Sequence, residues 1–147
     1  MTTTRTGTTT IRHYMTASPL TIGAEQTLDH AHAVMREHRV RHLPVLHGGK
    51  LVGIISQRDL MLIESLPGVD AREVPVEDAM TTDIYTVTAA TTVARVATEM
   101  ADRKLGSAIV LDGDEVIGVF TVTDACRALA ELTARKPTRP RRTAARA

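Results

Sequence analysis

The chain contains the stretch Gly53-Ile54-Ile55-Ser56-Gln57-Arg58-Asp59 and, at an offset of 65 positions, the stretch Gly118-Val119-Phe120-Thr121-Val122-Thr123-Asp124. Each has a glycine, two apolar residues, a hydroxyl residue and, three positions further on, an aspartate. A short apolar run that ends at Ser or Thr is typical of a buried strand leading into a helix, because the hydroxyl can cap the helix. The pattern therefore predicts the same strand-to-helix junction twice in one chain.

The same offset aligns the rest of the two halves without a gap. Met15-Thr16 falls on Met80-Thr81, and Asp59 falls on Asp124. A match that keeps one offset over this length identifies an internal repeat, so the chain consists of two copies of one structural unit. A unit of this size buries too little surface to be stable alone, so we expect the two copies to share one core.

Each copy predicts an extended segment, a helix capped by Thr27 or Thr92, a hairpin that turns at Gly48 or Gly113, and a second helix. The predicted fold class is α/β, with two β-α-β-β-α repeats packed sheet to sheet as one pseudo-twofold module. We expect five regions along the chain: a disordered N-terminus (1–10), the first repeat (11–67), a linker (68–75), the second repeat (76–133) and a disordered basic tail (134–147).

The repeated junction has a chemistry that suits a nucleotide. A helix start presents free backbone amides and the positive end of the helix dipole, which favour phosphate. The hydroxyl of Ser56 or Thr121 can donate to a phosphate oxygen, and the aspartate one turn later can accept hydrogen bonds from two adjacent ribose hydroxyls. The simpler alternative is that these residues only cap the helix. The presence of the pattern at the same place in both repeats favours a role in ligand binding.

Together these segments resemble the CBS (cystathionine β-synthase) domain pair, also called a Bateman module. The resemblance covers about residues 11–133. It implies two clefts between the paired sheets that bind AMP, ADP, ATP, S-adenosylmethionine, NAD or related molecules, and it implies a homodimer. It rests on Tyr14-Met15-Thr16, Ala79-Met80-Thr81, Arg41-His42-Leu43-Pro44-Val45-Leu46, Leu51-Val52-Gly53-Ile54-Ile55-Ser56-Gln57-Arg58-Asp59-Leu60 and Val116-Ile117-Gly118-Val119-Phe120-Thr121-Val122-Thr123-Asp124.

The resemblance also implies roles for single residues. Asp59 and Asp124 would hold the ribose hydroxyls of the two ligands. Contacts to phosphate or ribose would come from Ser56, Thr121, Arg58 and Arg41, and the adenine pocket would be lined by Thr16, Thr81, His42, Pro44, Ser107 and Ile109.

The two copies differ where phosphate would bind. The second copy has Thr123 in place of Arg58 and Gly106 in place of Arg41. We therefore expect unequal sites, with phosphorylated ligands preferring the cleft that carries the two arginines. On this reasoning, Asp59→Ala should weaken binding more than Asp124→Ala.

Composition and motifs argue against several other classes of protein. Cys126 is the single cysteine, so no disulfide can form within the chain, and no run of about 18 apolar residues predicts a membrane span. We expect a cytoplasmic protein. The six histidines all lie in the first repeat, without a spacing that completes a metal site, and no catalytic motif is present. We therefore expect no metal, no cofactor and no enzymatic activity.

The basic tail offers a rival function. Residues 134–147 contain 6 of the 18 lysines and arginines and no acid, so the rest of the chain has 12 basic against 17 acidic residues, a net charge of −5. A tail of this kind could contact nucleic acid or an acidic protein, with the repeats as a scaffold. Aromatic residues make up only 2% of the chain, which leaves few platforms for stacking bases. The sequence favours a regulatory, energy-sensing module that binds AMP, ADP or ATP and signals to a partner protein.

Overall fold

The computed structural model describes residues 8–134. Of the two segments predicted to be disordered, 1–10 and 134–147, residues 1–7 and 135–147 lie outside this range. Two single-turn 3-10 helices cover Ile11–His13 and Val76–Asp78. The helices are α1 (Leu28–His38), α2 (Gln57–Glu64), α3 (Val93–Arg103) and α4 (Val122–Thr133), and the strands are β1 (Thr16–Ala17), β2 (Ile22–Gly23), β3 (His42–His47), β4 (Lys50–Ser56), β5 (Thr86–Val87), β6 (Ser107–Asp112) and β7 (Glu115–Thr121).

The predicted α/β fold with two β-α-β-β-α repeats is confirmed. In the first unit β2 pairs parallel with β3, and β3 pairs antiparallel with β4. In the second unit β5, β6 and β7 repeat this arrangement. The hydroxyls of Thr27 and Thr92 accept hydrogen bonds from the backbone N–H of His30 and Arg95, so the predicted caps start α1 and α3.

Each sheet has one face covered by the helices of its own unit. In β3, Leu43 and Val45 are fully buried against Leu28 and Leu60. Pro44 lies between them and is also fully buried, although it points to the other face because side chains alternate along a strand. Ile109 of β6 occupies the matching position and has 0% exposure. These second faces lie where the two sheets approach each other, with residue contacts between β4 and β7.

Two short segments cross between the units. Residues 11–17 precede the first unit but pack on the second, where Ile11 joins the core and β1 pairs with β7. Residues 74–81 precede the second unit but pack on the first, where Val76 joins the core. Thr81 and Ile54 exchange two backbone hydrogen bonds, at 2.8 and 2.9 Å. We call these the exchange segments. They make each unit complete only in the presence of the other.

The glycines of the repeated pattern mark where the exchange segments lie. A Cβ placed on Gly53 would meet Met80 Sδ at 2.5 Å, and a Cβ placed on Gly118 would meet Met15 Sδ at 2.6 Å. Backbone oxygens follow at 3.0 Å from Thr81 and at 3.2 Å from Thr16. Both positions are therefore glycine because a methionine and a backbone from the opposite repeat occupy the space of a side chain.

Candidate functional site

A cavity of about 1200 Å³ opens between the two units. Both capped helix starts line it, with residues 56–58 from the first unit and 121–124 from the second. The rest of the wall includes Thr16, residues 18–20, residues 38–43 and residues 104–106. Two helix N-termini on one cavity supply free amides and positive dipole ends, which favour an anionic ligand.

Both helix starts form a complete capping box. Ser56 N–H donates to Asp59 Oδ2 at 2.9 Å, and Asp59 N–H donates to Ser56 Oγ at 3.0 Å. Thr121 and Asp124 repeat this exchange at 2.9 and 3.3 Å. The capping alternative raised by the sequence is thus present in both copies. Capping occupies chiefly Oδ2 of each aspartate, so the other carboxylate oxygen can still accept from a ligand.

The two aspartates differ in what surrounds that other oxygen. Asp124 is 4% exposed and lines the cavity, and its Oδ1 accepts from Arg127 Nη1 at 3.2 Å. Asp59 is half-buried, and the Thr81 hydroxyl lies 3.3 Å from its Oδ1. Thr16, the counterpart of Thr81, lines the same cavity as Asp124. An internal donor therefore reaches Oδ1 of both aspartates, Arg127 for Asp124 and Thr81 for Asp59, and of the two only Asp124 lines this cavity.

The predicted phosphate-binding arginines also lie on this cavity. Arg41 and Arg58 both line it, together with Ser56 and Thr121. In the sequence, these arginines and Asp59 all belong to the first repeat and were predicted to form one site. In the structure, the aspartate that shares the cavity with them is Asp124, from the second repeat. The grouping differs because the cavity lies between the repeats and draws its wall from both.

His42 lies half-buried on the same wall. Burial lowers the pKa of His42, and the charge of Arg41 acts in the same direction, while Asp59 opposes both. A Cβ placed on Gly106 would lie 3.0 Å from His42 Nε2. A side chain at position 106 would therefore crowd the His42 ring of the first unit, and this position holds a glycine where the first repeat has Arg41.

The structure separates the predicted site residues into two groups. Those that line the cavity in the described part of the chain are Thr16, Arg41, His42, Ser56, Arg58, Thr121 and Asp124. Those that do not are Pro44, Asp59, Thr81, Ser107 and Ile109. Pro44 and Ile109 are fully buried, so an adenine could reach them only if the sheets moved apart.

A comparison with protein families matches the CBS domain model at residues 11–65 and again at residues 76–131. The chain belongs to the CBS domain family. The resemblance inferred from the sequence is confirmed, and CBS domain pairs generally serve regulatory rather than catalytic roles.

Known proteins similar to this CBS pair include an enzyme and two solved structures. Inosine-5'-monophosphate dehydrogenase from Korarchaeum cryptofilum is 34% identical over 106 residues, which are 71% of this chain and 21% of the dehydrogenase. A candidate acetoin utilization protein (AcuB) from Vibrio cholerae is 30% identical, with a TM-score of 0.75 and coverage of 84% of this chain and 91% of that one. The CBS domain pair of protein MJ0100, in complex with 5'-methylthioadenosine and S-adenosyl-L-methionine, is 25% identical, with a TM-score of 0.76 and coverage of 84% and 97%.

The CBS cavity also contains three cations that were not among the predicted site residues, namely Arg39, Lys104 and Arg127. Arg39 and Lys104 directly follow α1 and α3 and are related by the 65-residue offset. A basic residue at the same position of both repeats could therefore have indicated a shared role. Arg127 follows Asp124 by three positions on α4, which brings its side chain back to the aspartate.

Across positions 8–134, no group of three or more His, Cys, Asp or Glu side chains could hold a metal ion. Over the same stretch, no helix combines the length and the apolar character needed to cross a membrane.

Proposed function

We propose that this CBS pair is a regulatory module that binds an adenosyl ligand, such as AMP, ADP or ATP, in the cavity between its units. The observation that carries the proposal is the buried carboxylate of Asp124 on the same cavity as Arg41 and Arg58. A carboxylate suits the hydroxyl pair of a ribose, and the planar guanidinium groups suit phosphate. The MJ0100 pair, which is similar in fold and has adenosyl ligands bound, supports the same ligand class.

In this proposal the ribose hydroxyls donate to Asp124 Oδ1. Arg127 now occupies that oxygen, but its side chain is 57% exposed and can turn away into solvent. Asp124 Oδ2 stays bound to Thr121 in the capping box, so the carboxylate is held in place before the ligand arrives. Such preorganisation reduces the entropy lost on binding. The phosphates would then extend towards Arg41 and Arg58.

The site at Asp59 would bind more weakly under this proposal. Asp59 does not line the cavity that holds Arg41 and Arg58, so a ligand whose ribose binds Asp59 would not gain their contacts to its phosphates. This reverses the order that the sequence alone suggested for the two aspartates.

Regulation would follow from the position of the cavity. Because both units contribute to its wall, a ligand that fits one relative position of the units stabilises that position. A ligand at about 100 times its dissociation constant contributes about 2.7 kcal/mol, enough to shift a balanced equilibrium strongly. We propose that a separate protein responds to this change.

The same proposal includes a homodimer. Large apolar side chains are exposed on α2 and α4 and two residues after α2. Leu66 and Leu129 lie outside the cavity lining, whereas Met61, Leu62 and Val122 also line the cavity. A second copy of the chain would cover them. Sedimentation velocity should give a dimer for the wild type and a monomer for Leu129→Glu, with Ala101→Glu on α3 as the charge-matched control. A dimeric Leu129→Glu variant would contradict this interface.

The binding site is tested by calorimetric titration with AMP, ADP, ATP, NAD and S-adenosylmethionine. Asp124→Asn keeps an acceptor for the capping box but removes the carboxylate charge, and Asp59→Asn is its matched counterpart. We expect Asp124→Asn to weaken binding by about tenfold or more, the lower end for hydrogen bonds to a charged group. Asp59→Asn should have a smaller effect. Absence of binding to every ligand by folded protein would refute the proposed function, and equal losses in the two variants would refute the assignment of the site.

A further inference from the structure

The cavity carries more positive charge than one nucleotide monophosphate requires. Its permanently charged cations are Arg39, Arg41, Arg58, Lys104 and Arg127, and its single carboxylate is Asp124. Five cations and one anion leave a net charge of +4 with the histidines neutral. Within residues 8–134, the only one of these cations with a carboxylate within ion-pair distance is Arg127.

Two of these cations occupy a backbone conformation that disfavours any side chain. Arg39 ends α1 with φ 56° and ψ 41°, and Lys104 ends α3 with φ 56° and ψ 46°. Glycine or asparagine is the usual residue in this left-handed conformation at the end of a helix, because other side chains are strained there. Both repeats nevertheless carry a long cation at this position, and both cations line the cavity. Strain kept at matching positions beside a cavity indicates a role for the side chains themselves.

We propose that the cavity selects a nucleoside triphosphate over the monophosphate, with Arg39 and Lys104 contacting the distal phosphates. This inference rests on the proposed adenosyl function and specifies its ligand. Each added phosphate brings about one more negative charge and further oxygens that accept charge-assisted hydrogen bonds. A triphosphate chain, with about four negative charges, therefore matches the net charge of the cavity, whereas a monophosphate leaves cations unpaired.

The test compares AMP, ADP and ATP by calorimetric titration in buffer without divalent cations. Arg39→Asn and Lys104→Asn remove the charge and suit the left-handed backbone, so both variants should fold at least as stably as the wild type. Arg36→Gln on α1 removes one charge outside the cavity lining and serves as the control. We expect each Asn variant to weaken ATP binding about fivefold, the upper end for a solvent-exposed charge pair, and the double variant about 25-fold. AMP affinity should hardly change, and Arg36→Gln should leave all three affinities unchanged.

The outcomes separate this inference from the proposed function. If AMP and ATP bind the wild type equally and Asp124→Asn weakens both, the adenosyl function stands and the triphosphate preference is wrong. If the Asn variants weaken AMP and ATP by the same factor, Arg39 and Lys104 do not act on the distal phosphates. Inorganic tripolyphosphate that binds as tightly as ATP would show that the base and ribose contribute nothing, which overturns the choice of a nucleotide. Failure of every adenosyl ligand to bind refutes the proposed function itself.

The strain has an independent readout in the ligand-free protein. Thermal denaturation should give Arg39→Asn a midpoint at or above that of the wild type, because the substitution relieves the left-handed arginine. A stabilised variant with weakened ATP binding is the expected combination. A destabilised Arg39→Asn variant would mean that the arginine is kept for the fold, and the inference would be wrong.

Discussion

Gly118→Ala should destabilise the protein through a residue that lies about a hundred positions away in the sequence. The new Cβ would lie 2.6 Å from Met15 Sδ, 3.2 Å from Met15 Cγ and 3.2 Å from the backbone oxygen of Thr16. Overpacking of this kind costs about 1–3 kcal/mol. Replacing glycine in a strand returns about 0.5–1 kcal/mol of conformational entropy. The net loss of unfolding free energy should therefore be about 1–2 kcal/mol.

Urea denaturation followed by circular dichroism measures this loss. With a slope of about 2 kcal/mol per molar urea, the midpoint should fall by about 0.5–1 M. Met15→Ala removes the atoms nearest to the new Cβ but leaves the Thr16 oxygen in place. In the Met15→Ala background, Gly118→Ala should therefore cost less, with a coupling energy of about 1 kcal/mol.

The matched control combines Gly118→Ala with a substitution of the methionine that packs against the other glycine. Met80 packs against Gly53 and makes no close approach to Gly118, so Gly118→Ala and Met80→Ala should be additive. If Gly118→Ala has the same effect with Met15 and with Ala at position 15, the first exchange segment does not lie against β7. That result would refute the proposed path of residues 11–17.

Three further predictions follow from the capping boxes, from His42 and from the tail. Thr121→Ala removes the cap of α4 and should lower the unfolding free energy by about 1 kcal/mol in thermal denaturation, while Thr123→Ala at an exposed position should change it little. The lowered pKa of His42 means that the unfolded chain binds a proton more readily than the folded one, so stability should fall as the pH drops below the ordinary value of 6.5 and should fall less in His42→Gln. The measurement is the urea midpoint between pH 7.5 and pH 5. If the midpoint of His42→Gln falls with pH as steeply as that of the wild type, this histidine is not responsible. Deletion of residues 135–147 should leave the calorimetric affinity for ATP unchanged, and a salt-sensitive shift of DNA or RNA in a gel that disappears with the deletion would instead favour the adaptor function.

The repeat and its junctions were predictable because they depend on local chemistry. An apolar run followed by Ser56 or Thr121 can form a strand that ends in a helix cap, and the structure has both. Because the 65-residue offset aligns the two repeats, each position could be compared with its counterpart in the other repeat. The residues of the predicted site that lie on the cavity, among them Asp124 and Arg58, were found in this way.

The composition of the site was harder to predict because it depends on how the repeats meet. Sequence order placed Asp59 with Arg41 and Arg58, but the cavity between the units brings Asp124 to those arginines. The roles of Gly53 and Gly118 were also hidden, since the methionines that require them come from the opposite repeat. The strain at Arg39 depends on a backbone angle that an arginine does not reveal in the sequence.

The exchange segments have a consequence for the history and the expression of the chain. A gene that encoded only one half would produce a unit whose leading segment has no second unit to pack on. The core of the first unit would lack Val76, and the core of the second would lack Ile11. Such a half could complete itself only by pairing with another half, through reciprocal donation of the leading segment. Two fragments divided at residues 68–75 should therefore fail to fold as separate monomers and should assemble when expressed together. Duplication and fusion of an ancestral half would have made this reciprocal donation permanent within one polypeptide.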